Sequence, residues 1–365
     1  MAKIQSVTIA DLARKLGVCP ATVSLALRNH ASISLSTRRR IQAMAAKVGY
    51  RPHPAVSTLM ARIRSNRTSK GQPIIAGITT WSAEIAKRDP TRLRFYEGAA
   101  ARAGELGYTL EEFSATIPGL TISRLDGVLQ ARGIQGLLIF PVEAKVELQF
   151  TWERFSCATI GYTFNVASLH RASPAYFDNV VIALKELQLR GYRRVGLVNT
   201  PALRERLLRS WQGAFSAWHS ESGRSASPAM LEIDPSNEGR FQTWMKRYRP
   251  DAILFGGTPV YAWARAMGLS VPRDLGLVSL CVAGMPREVR LTQVVEKPEV
   301  VGAAAIDLIV EQLQRNECGI PQDAKEVFIT GEWIDGSSVA APTTDPSGGS
   351  TPPKIQLKRK FPSGR

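Results

Sequence analysis

Cysteine and long apolar runs are scarce in this chain of 365 residues. The 4 cysteines stand far apart without CxxC spacing, which argues against a disulfide framework or a cysteine zinc site and favours a reducing cytoplasm. No apolar run reaches the roughly 18 residues of a membrane span, and no export signal is visible, so we expect no membrane contact. The 4 histidines are scattered, and we expect neither a metal nor a cofactor.

Enzyme motifs are absent as well. The chain has no GxSxG, no GxxxxGK[ST], no HExxH and no GxGxxG after a strand. Each of these patterns places a nucleophile, a phosphate loop or a metal ligand set, so their absence argues against an enzyme.

Acidic residues are nearly missing from the first 70 residues, which hold thirteen Lys/Arg against Asp11 alone, a net charge of +12. Residues 340–365 carry +4, and the residues between these two ends sum to zero. A solvated basic surface would spread its charge along the chain. A neutral body with a basic head and a basic tail instead indicates a nucleic-acid-binding end.

Residues 1–50 have the pattern of short helices. Thr8 is an N-cap candidate for a first helix, which Gly17 ends, and Pro20 suits the first turn of a second helix. Ser34 can cap a third helix. The short connection after Gly17 predicts a helix-turn-helix.

From about Ile74 the pattern changes. Short β-rich runs such as PIIAGITTW and GLLIFP alternate with helical stretches, which predicts parallel, doubly wound α/β sheets. The length of this region exceeds one such sheet, so we expect two Rossmann-like lobes. After Ser338 the composition is rich in Pro, Gly, Ser and Thr, which predicts a disordered basic tail.

Several stretches, in matching order and spacing, resemble the lactose-repressor family of bacterial transcription regulators: VTIADLARKLGV, ATVSLAL, STRRRIQAMAAKVGYRP, LRGYRRVGLV, RPDAILF, GLSVPRDLGLVSL and ITGEWIDGSS. The resemblance implies an all-α helix-turn-helix headpiece over 1–52 and a hinge helix with linker over 53–72. It further implies a two-lobed, periplasmic-binding-protein-like α/β core over 73–339, followed by the tail at 340–365.

The same resemblance implies a function. We expect a cytoplasmic homodimer that acts as a transcriptional repressor on a palindromic double-stranded DNA operator. A small effector, such as a carbohydrate or a related metabolite, would bind in the core cleft. The alternative is a solute-binding protein with the same core fold, which would need an export signal and no basic helix-turn-helix.

The family register assigns roles in the headpiece and hinge. Its second helix would lie in the major groove with three side chains facing the bases: Pro20, Ala21 and Leu25. None of the three can make bidentate hydrogen bonds, and the apolar side chains favour contact with thymine methyl groups. The same register predicts phosphate contacts for Thr8, Ser24, Arg28 and Thr37. In the hinge, the resemblance places Leu59, with Ala55, in the minor groove as a wedge between base steps. A core role for Leu25 and a plain linker at Leu59 stay open.

The expected effector pocket departs from the family pattern. Gly161, Gly257 and Cys281 stand where sugar-responsive relatives carry polar or charged residues. The pocket candidates are Trp81, Phe95, Tyr96, Tyr162, Arg209, Trp211, Thr258 and Cys281. Aromatic residues near strand ends belong to the core as often as to a ligand platform, and the sequence leaves both readings open.

Overall fold

The structure is a computed structural model that describes most of the headpiece and core. The described residues are 8–27, 33–48, 50, 72–81, 90–142, 147–164, 167–221, 229–281 and 290–341. The predictions for Arg28, Ala55, Leu59, the 52/53 domain boundary and the tail beyond 341 therefore lie outside the described residues.

The headpiece contains the predicted helices α1 (Ile9–Leu16), α2 (Pro20–Leu27) and α3 (Leu35–Lys47). Thr8 caps α1, and Gly17 ends it with φ 66°, a left-handed conformation that costs glycine little. The three helices enclose a small core cluster: Leu12, Ala13, Val23, Ala26, Ile41 and Ala45. This packing confirms the helix-turn-helix that the sequence predicts.

Lobe 1 is a parallel sheet of six strands in the order β11-β5-β4-β3-β1-β2. The strands are β1 (Ile74–Thr79), β2 (Thr109–Ser114), β3 (Gly136–Ile139), β4 (Ser156–Ile160), β5 (His170–Pro174) and β11 (Glu326–Ile329). Its helices are α4 (Pro90–Glu105), α5 (Ile122–Ala131) and α11 (Pro298–Arg315), with a 3-10 turn at Trp152–Arg154.

Helices α4 and α11 cross at backbone contact distance. A Cβ added at Gly98 would lie 2.0 Å from the carbonyl oxygen of Glu299, and one added at Gly302 would lie 2.1 Å from that of Phe95. Only glycine permits so close an approach, so the two glycines fix how α11 seats on lobe 1.

Lobe 2 is a second sheet of six strands, in the order β12-β10-β9-β8-β6-β7. The strands are β6 (Val195–Asn199), β7 (Met230–Glu232), β8 (Ala252–Phe255), β9 (Gly276–Ser279), β10 (Thr292–Val295) and β12 (Glu332–Ile334). Its helices are α6 (Tyr176–Leu189), α7 (Pro201–Arg206), α8 (Ser210–Glu221), α9 (Glu238–Tyr248) and α10 (Val260–Ala266). Strand β12 runs antiparallel to β10, an exception that the strand–helix alternation did not reveal.

The chain passes between the lobes at three places: before α6, between β10 and α11, and between β11 and β12. These connections touch one another. Ala175 donates its N–H to the carbonyl of Ile329 over 2.9 Å, and Gly331 donates its N–H to Asn179 Oδ1 over 2.8 Å. A Cβ added at Gly331 would lie 2.8 Å from the carbonyl oxygen of Val295, the last residue of β10. The three connections therefore form one joint between the lobes.

Candidate nucleic-acid interface and interlobe pocket

The start of α1 is held by a capping box. Asp11 donates its N–H to Thr8 Oγ1 over 3.2 Å, while the Thr8 N–H donates to Asp11 Oδ2 over 3.0 Å. The Thr8 hydroxyl also donates to the same carboxylate over 2.7 Å, and this hydrogen bond is the main reason why the pKa of Asp11 lies below its ordinary value. Thr8 is exposed at the helix N-terminus, where the positive end of the dipole favours anions.

Helix α2 has two distinct sides. Val23 and Ala26 are fully buried in the headpiece core, whereas Pro20 and Ala21 are exposed. Leu25 is half-buried and lies outside the headpiece core cluster and the residues packed against it. The first turn of α2 and Leu25 thus form a surface on the side away from the core.

Cys19 stands immediately before this surface, at the residue that precedes α2. Its sulfur accepts the Thr22 N–H over 3.4 Å and lies 3.1 Å from the Thr22 hydroxyl, so it occupies the capping position of α2. The side-chain contact with Thr22 is the main cause that lowers the pKa of the Cys19 thiol. A cap formed by a cysteine escapes sequence reasoning because the preferred caps are oxygen-bearing residues.

Helix α3 begins with a second set of hydroxyl contacts. The Ser34 hydroxyl donates to Thr37 Oγ1 over 2.8 Å and accepts the Thr37 N–H over 3.3 Å. Gln42 donates to the carbonyl of Ala26 over 3.1 Å, which fastens α3 to the end of α2. Thr37 and Ser24 are both half-buried, so part of each side chain faces outward.

A pocket of about 40 Å³ lies where the two lobes meet. Residues of both lobes and of their connections line it: Thr91, Tyr176, Leu203, Arg206, Leu207, Trp211, Cys281 and Glu296. Of the predicted pocket residues, Trp211 and Cys281 line it directly. Six lining residues were missed: Thr91 and Tyr176 lie in the first turns of α4 and α6, and the others lie in or beside the short helix α7 or in the connection after β10, and no local sequence pattern brings these places together.

Trp211 is the largest side chain of the pocket. It is 1% exposed, and its Nε1 has no hydrogen-bond partner among the described residues. A Cβ at Gly256 would come within 2.5 Å of the Trp211 ring and 3.0 Å of Cys281 Sγ, so only glycine leaves room for the indole. Thr258, two residues after Gly256, is also buried, and its hydroxyl has no hydrogen-bond partner among the described residues.

Three of the predicted pocket aromatics are core residues of lobe 1. The Trp81 ring meets Phe140 edge-on at 5.5 Å, and the Tyr96 ring lies 5.7 Å from the same phenyl ring. Tyr96 also donates to the carbonyl of Leu110 on β2, and Phe95 is 2% exposed in the same cluster. Their side chains pack against the sheet of lobe 1, so they do not line the interlobe pocket that the structure describes.

Tyr162 lies beside the pocket residue Tyr176, with 6.5 Å between the ring centres. Its hydroxyl donates to Glu326 over 3.0 Å, and the Arg171 guanidinium lies 4.8 Å from its ring centre. Burial, followed by the hydrogen bond to Glu326, raises the pKa of Tyr162 to about 12. Arg209 is exposed in the turn between α7 and α8, with φ 59°, and does not line the pocket.

Headpiece and core match known families separately. Residues 8–53 match the description "Bacterial regulatory proteins, lacI family". Residues 184–339 match "Periplasmic binding protein-like domain". Over 330 residues the chain is 22% identical to the HTH-type transcriptional repressor CytR of Escherichia coli strain K12, a match that spans 86% of this chain and 91% of that protein.

Solved structures share the fold. The transcriptional regulator CelR in complex with cellobiose has a TM-score of 0.56 and 16% identity, covering 91% of this chain and 99% of the other. The lac repressor dimer bound to operator and the anti-inducer ONPF has a TM-score of 0.55 and 16% identity, covering 92% and 100%. Both structures therefore share the fold of this chain over more than nine-tenths of its length. The chain therefore carries a DNA-binding domain of the lacI family of bacterial regulatory proteins, joined to a periplasmic-binding-protein-like domain.

Proposed function

We propose that the protein is a dimeric transcriptional repressor that acts on DNA in the cytoplasm, without catalysis, under the control of a small effector. The observation that carries this proposal is the outward surface of α2, where Pro20, Ala21 and Leu25 lie on the side away from the buried Val23 and Ala26. A helix-turn-helix places this surface of its second helix in the major groove. The lac repressor structure, a dimer on its operator, supports the same arrangement.

The predicted phosphate contacts fit the headpiece geometry. Thr8 and Thr37 stand at the starts of α1 and α3, where backbone N–H groups and helix dipoles favour anions. Ser24 follows Ala21 by one helical turn on α2. Arg28 follows Ser24 by four residues in the sequence, a further helical turn if the helix continued. With Leu59 and Ala55 in the minor groove, the protein would read a palindromic site through apolar contacts and DNA deformability.

The interlobe pocket is the proposed effector site. In the described conformation its volume of about 40 Å³ accommodates only a few water molecules. Binding of a carbohydrate or a related metabolite would therefore require the lobes to move apart at their joint. The structure of CelR in complex with cellobiose, which shares this fold, supports a carbohydrate as the class of effector. A freestanding solute-binding role gains no support, because the chain carries the lacI headpiece.

Selection of bound sites from a random DNA library tests this function. The full chain should enrich one palindromic sequence, whereas Ala21→Glu should enrich none, because a carboxylate would face the bases and phosphates. Ala46→Glu is the matched control, since Ala46 is also exposed on a headpiece helix but lies on α3 outside the reading surface. Equal enrichment by the Ala21→Glu protein would refute the assignment of α2 as the reading helix.

A further inference from the structure

A cluster of basic side chains lies in lobe 2 at the end of the sheet opposite to the interlobe pocket. It comprises Arg193 and Arg194 before β6 and Lys246, Arg247 and Arg249 at the end of α9, and we call it the basic corner. All five residues are exposed. The pocket adjoins the carboxyl ends of β6 and β8, so the length of a strand, about 17 Å, separates the two sites.

Backbone contacts hold the two halves of the basic corner together. Arg194 donates from Nε to the carbonyl of Arg249 over 2.8 Å. Asp251 accepts the N–H groups of Arg193 and Arg194 at 2.8 to 3.2 Å, which fixes the chain before β6 against the chain before β8. These hydrogen bonds hold the two parts of the basic corner side by side.

The positive charges of the basic corner lie together and are not neutralised by ion pairs with described acids. Many arginines of the core form ion pairs with described acids: Arg94, Arg102, Arg132, Arg190, Arg204, Arg273 and Arg315. None of the five side chains of the basic corner forms an ion pair with a described acid. Asp251 is engaged by backbone N–H groups and offsets only one of the five positive charges.

Interaction with the helix dipole alone would explain two or three cations at the end of α9, because the carboxyl end of a helix is negative. Arg193 and Arg194 come from another element and add to the same positive field. Four of the five residues of the corner are arginines, whose guanidinium groups bind phosphates with matched geometry.

We propose that the basic corner binds the phosphate backbone of a second segment of double-stranded DNA, at a site separate from the headpiece. The choice of partner rests on the proposed function, because a repressor held on its operator is surrounded by further DNA at high local concentration. The contact would be independent of sequence and sensitive to salt, since it releases counterions without reading bases.

The test uses the full chain with its headpieces saturated by an unlabelled operator duplex obtained by selection. A fluorescent duplex of unrelated sequence is then titrated, and its anisotropy is followed between 50 and 200 mM salt. The variant combines Arg193→Gln, Lys246→Gln and Arg247→Gln. Arg194 is kept because its Nε donates to the Arg249 carbonyl, and Arg249 is kept because it ends α9 in a left-handed conformation with φ 44°.

The unmodified protein should bind the second duplex, and the triple variant should bind it at least tenfold more weakly at the lowest salt. The slope of log affinity against log salt should fall by about 2 to 3, close to 0.9 for each lost phosphate contact. Operator affinity should be unchanged. The matched control combines Arg124→Gln, Arg240→Gln and Arg265→Gln, which removes three exposed charges scattered over the core and should have little effect.

Any one of three results would overturn the proposal. The first is that the unmodified protein does not bind the second duplex, the second is that both triple variants lose the same affinity, and the third is that the protein binds single-stranded RNA more tightly than duplex DNA. Failure of the first step, operator binding, would refute the proposed function instead. The two failures are distinguishable because they occur with different duplexes.

Discussion

Leu25→Ala should weaken operator binding with little damage to the headpiece fold. The change removes three carbon atoms, worth about 2.4 kcal/mol if all of them were newly buried, at about 0.8 kcal/mol per buried methylene. Leu25 is already half-buried, so DNA can cover only the remainder, roughly 1.2 kcal/mol per half-site. Because a dimer reads two half-sites, the expected loss is about 2.4 kcal/mol, or roughly 50-fold in Kd.

The assay is a fluorescence titration of the selected operator and of variants that carry each base at every half-site position. Leu25→Ala should flatten the preference at one position in each half-site, the position whose thymine methyl the leucine contacts. Affinity for unrelated duplex should stay within about twofold, because phosphate contacts supply that binding.

Val23→Ala is the control, since Val23 is fully buried in the headpiece core. It should lower the free energy of unfolding of the headpiece by about 2 kcal/mol through lost burial and a cavity, and weaken binding to all sequences alike. If Leu25→Ala instead lowers stability as Val23→Ala does and leaves every base preference intact, Leu25 is a core residue and the reading surface is wrongly assigned.

Two further predictions concern the core. Gly98→Ala should lower the free energy of unfolding in urea by about 1 to 3 kcal/mol, because its Cβ would collide with the Glu299 backbone; Gly104→Ala on the same helix has open space and should be neutral or slightly stabilising. His170 accepts the Lys325 N–H on Nδ1, and burial lowers its pKa below the unfolded value of about 6.5. The unfolded chain therefore takes up the proton first, so this stability is complete above about pH 6.5 and is lost as pH falls through the folded pKa. His170→Asn, which keeps an acceptor without titrating, should make thermal stability less dependent on pH between 7 and 5, and an identical slope would contradict the assignment.

Local signals made most of the fold predictable. Helix ends depend on short-range chemistry, and the sequence predicted four of them correctly at Thr8, Gly17, Pro20 and Ser34. Alternation of strands and helices was enough to predict two doubly wound lobes. The antiparallel β12 was not predictable, because its partner β10 is separated from it in sequence by all of α11 and β11.

The pocket was harder to predict because its composition resembles that of the core. Phe95 and Trp211 are both nearly fully buried aromatics, yet one packs inside lobe 1 and the other lines the cleft. Arg206 and Glu296 line the pocket because of how the two lobes are placed against each other. That arrangement depends on contacts between distant parts of the chain, such as the one between Ala175 and Ile329.

Because the chain passes between the lobes three times, the parts of lobe 1 leave the ribosome at widely separated times. Strands β1 to β4 of lobe 1 emerge early, but α11, which covers one face of their sheet, begins roughly 140 residues after β4 ends, a delay of about 7 to 28 s at 5–20 residues per second. During that interval the apolar face that later receives α11 is uncovered. The headpiece, whose core is complete within 50 residues, has no such delay. Nascent chains should therefore carry a folded DNA-binding unit ahead of a lobe that still depends on chaperones, and slower translation between β5 and α11 should lengthen that dependence.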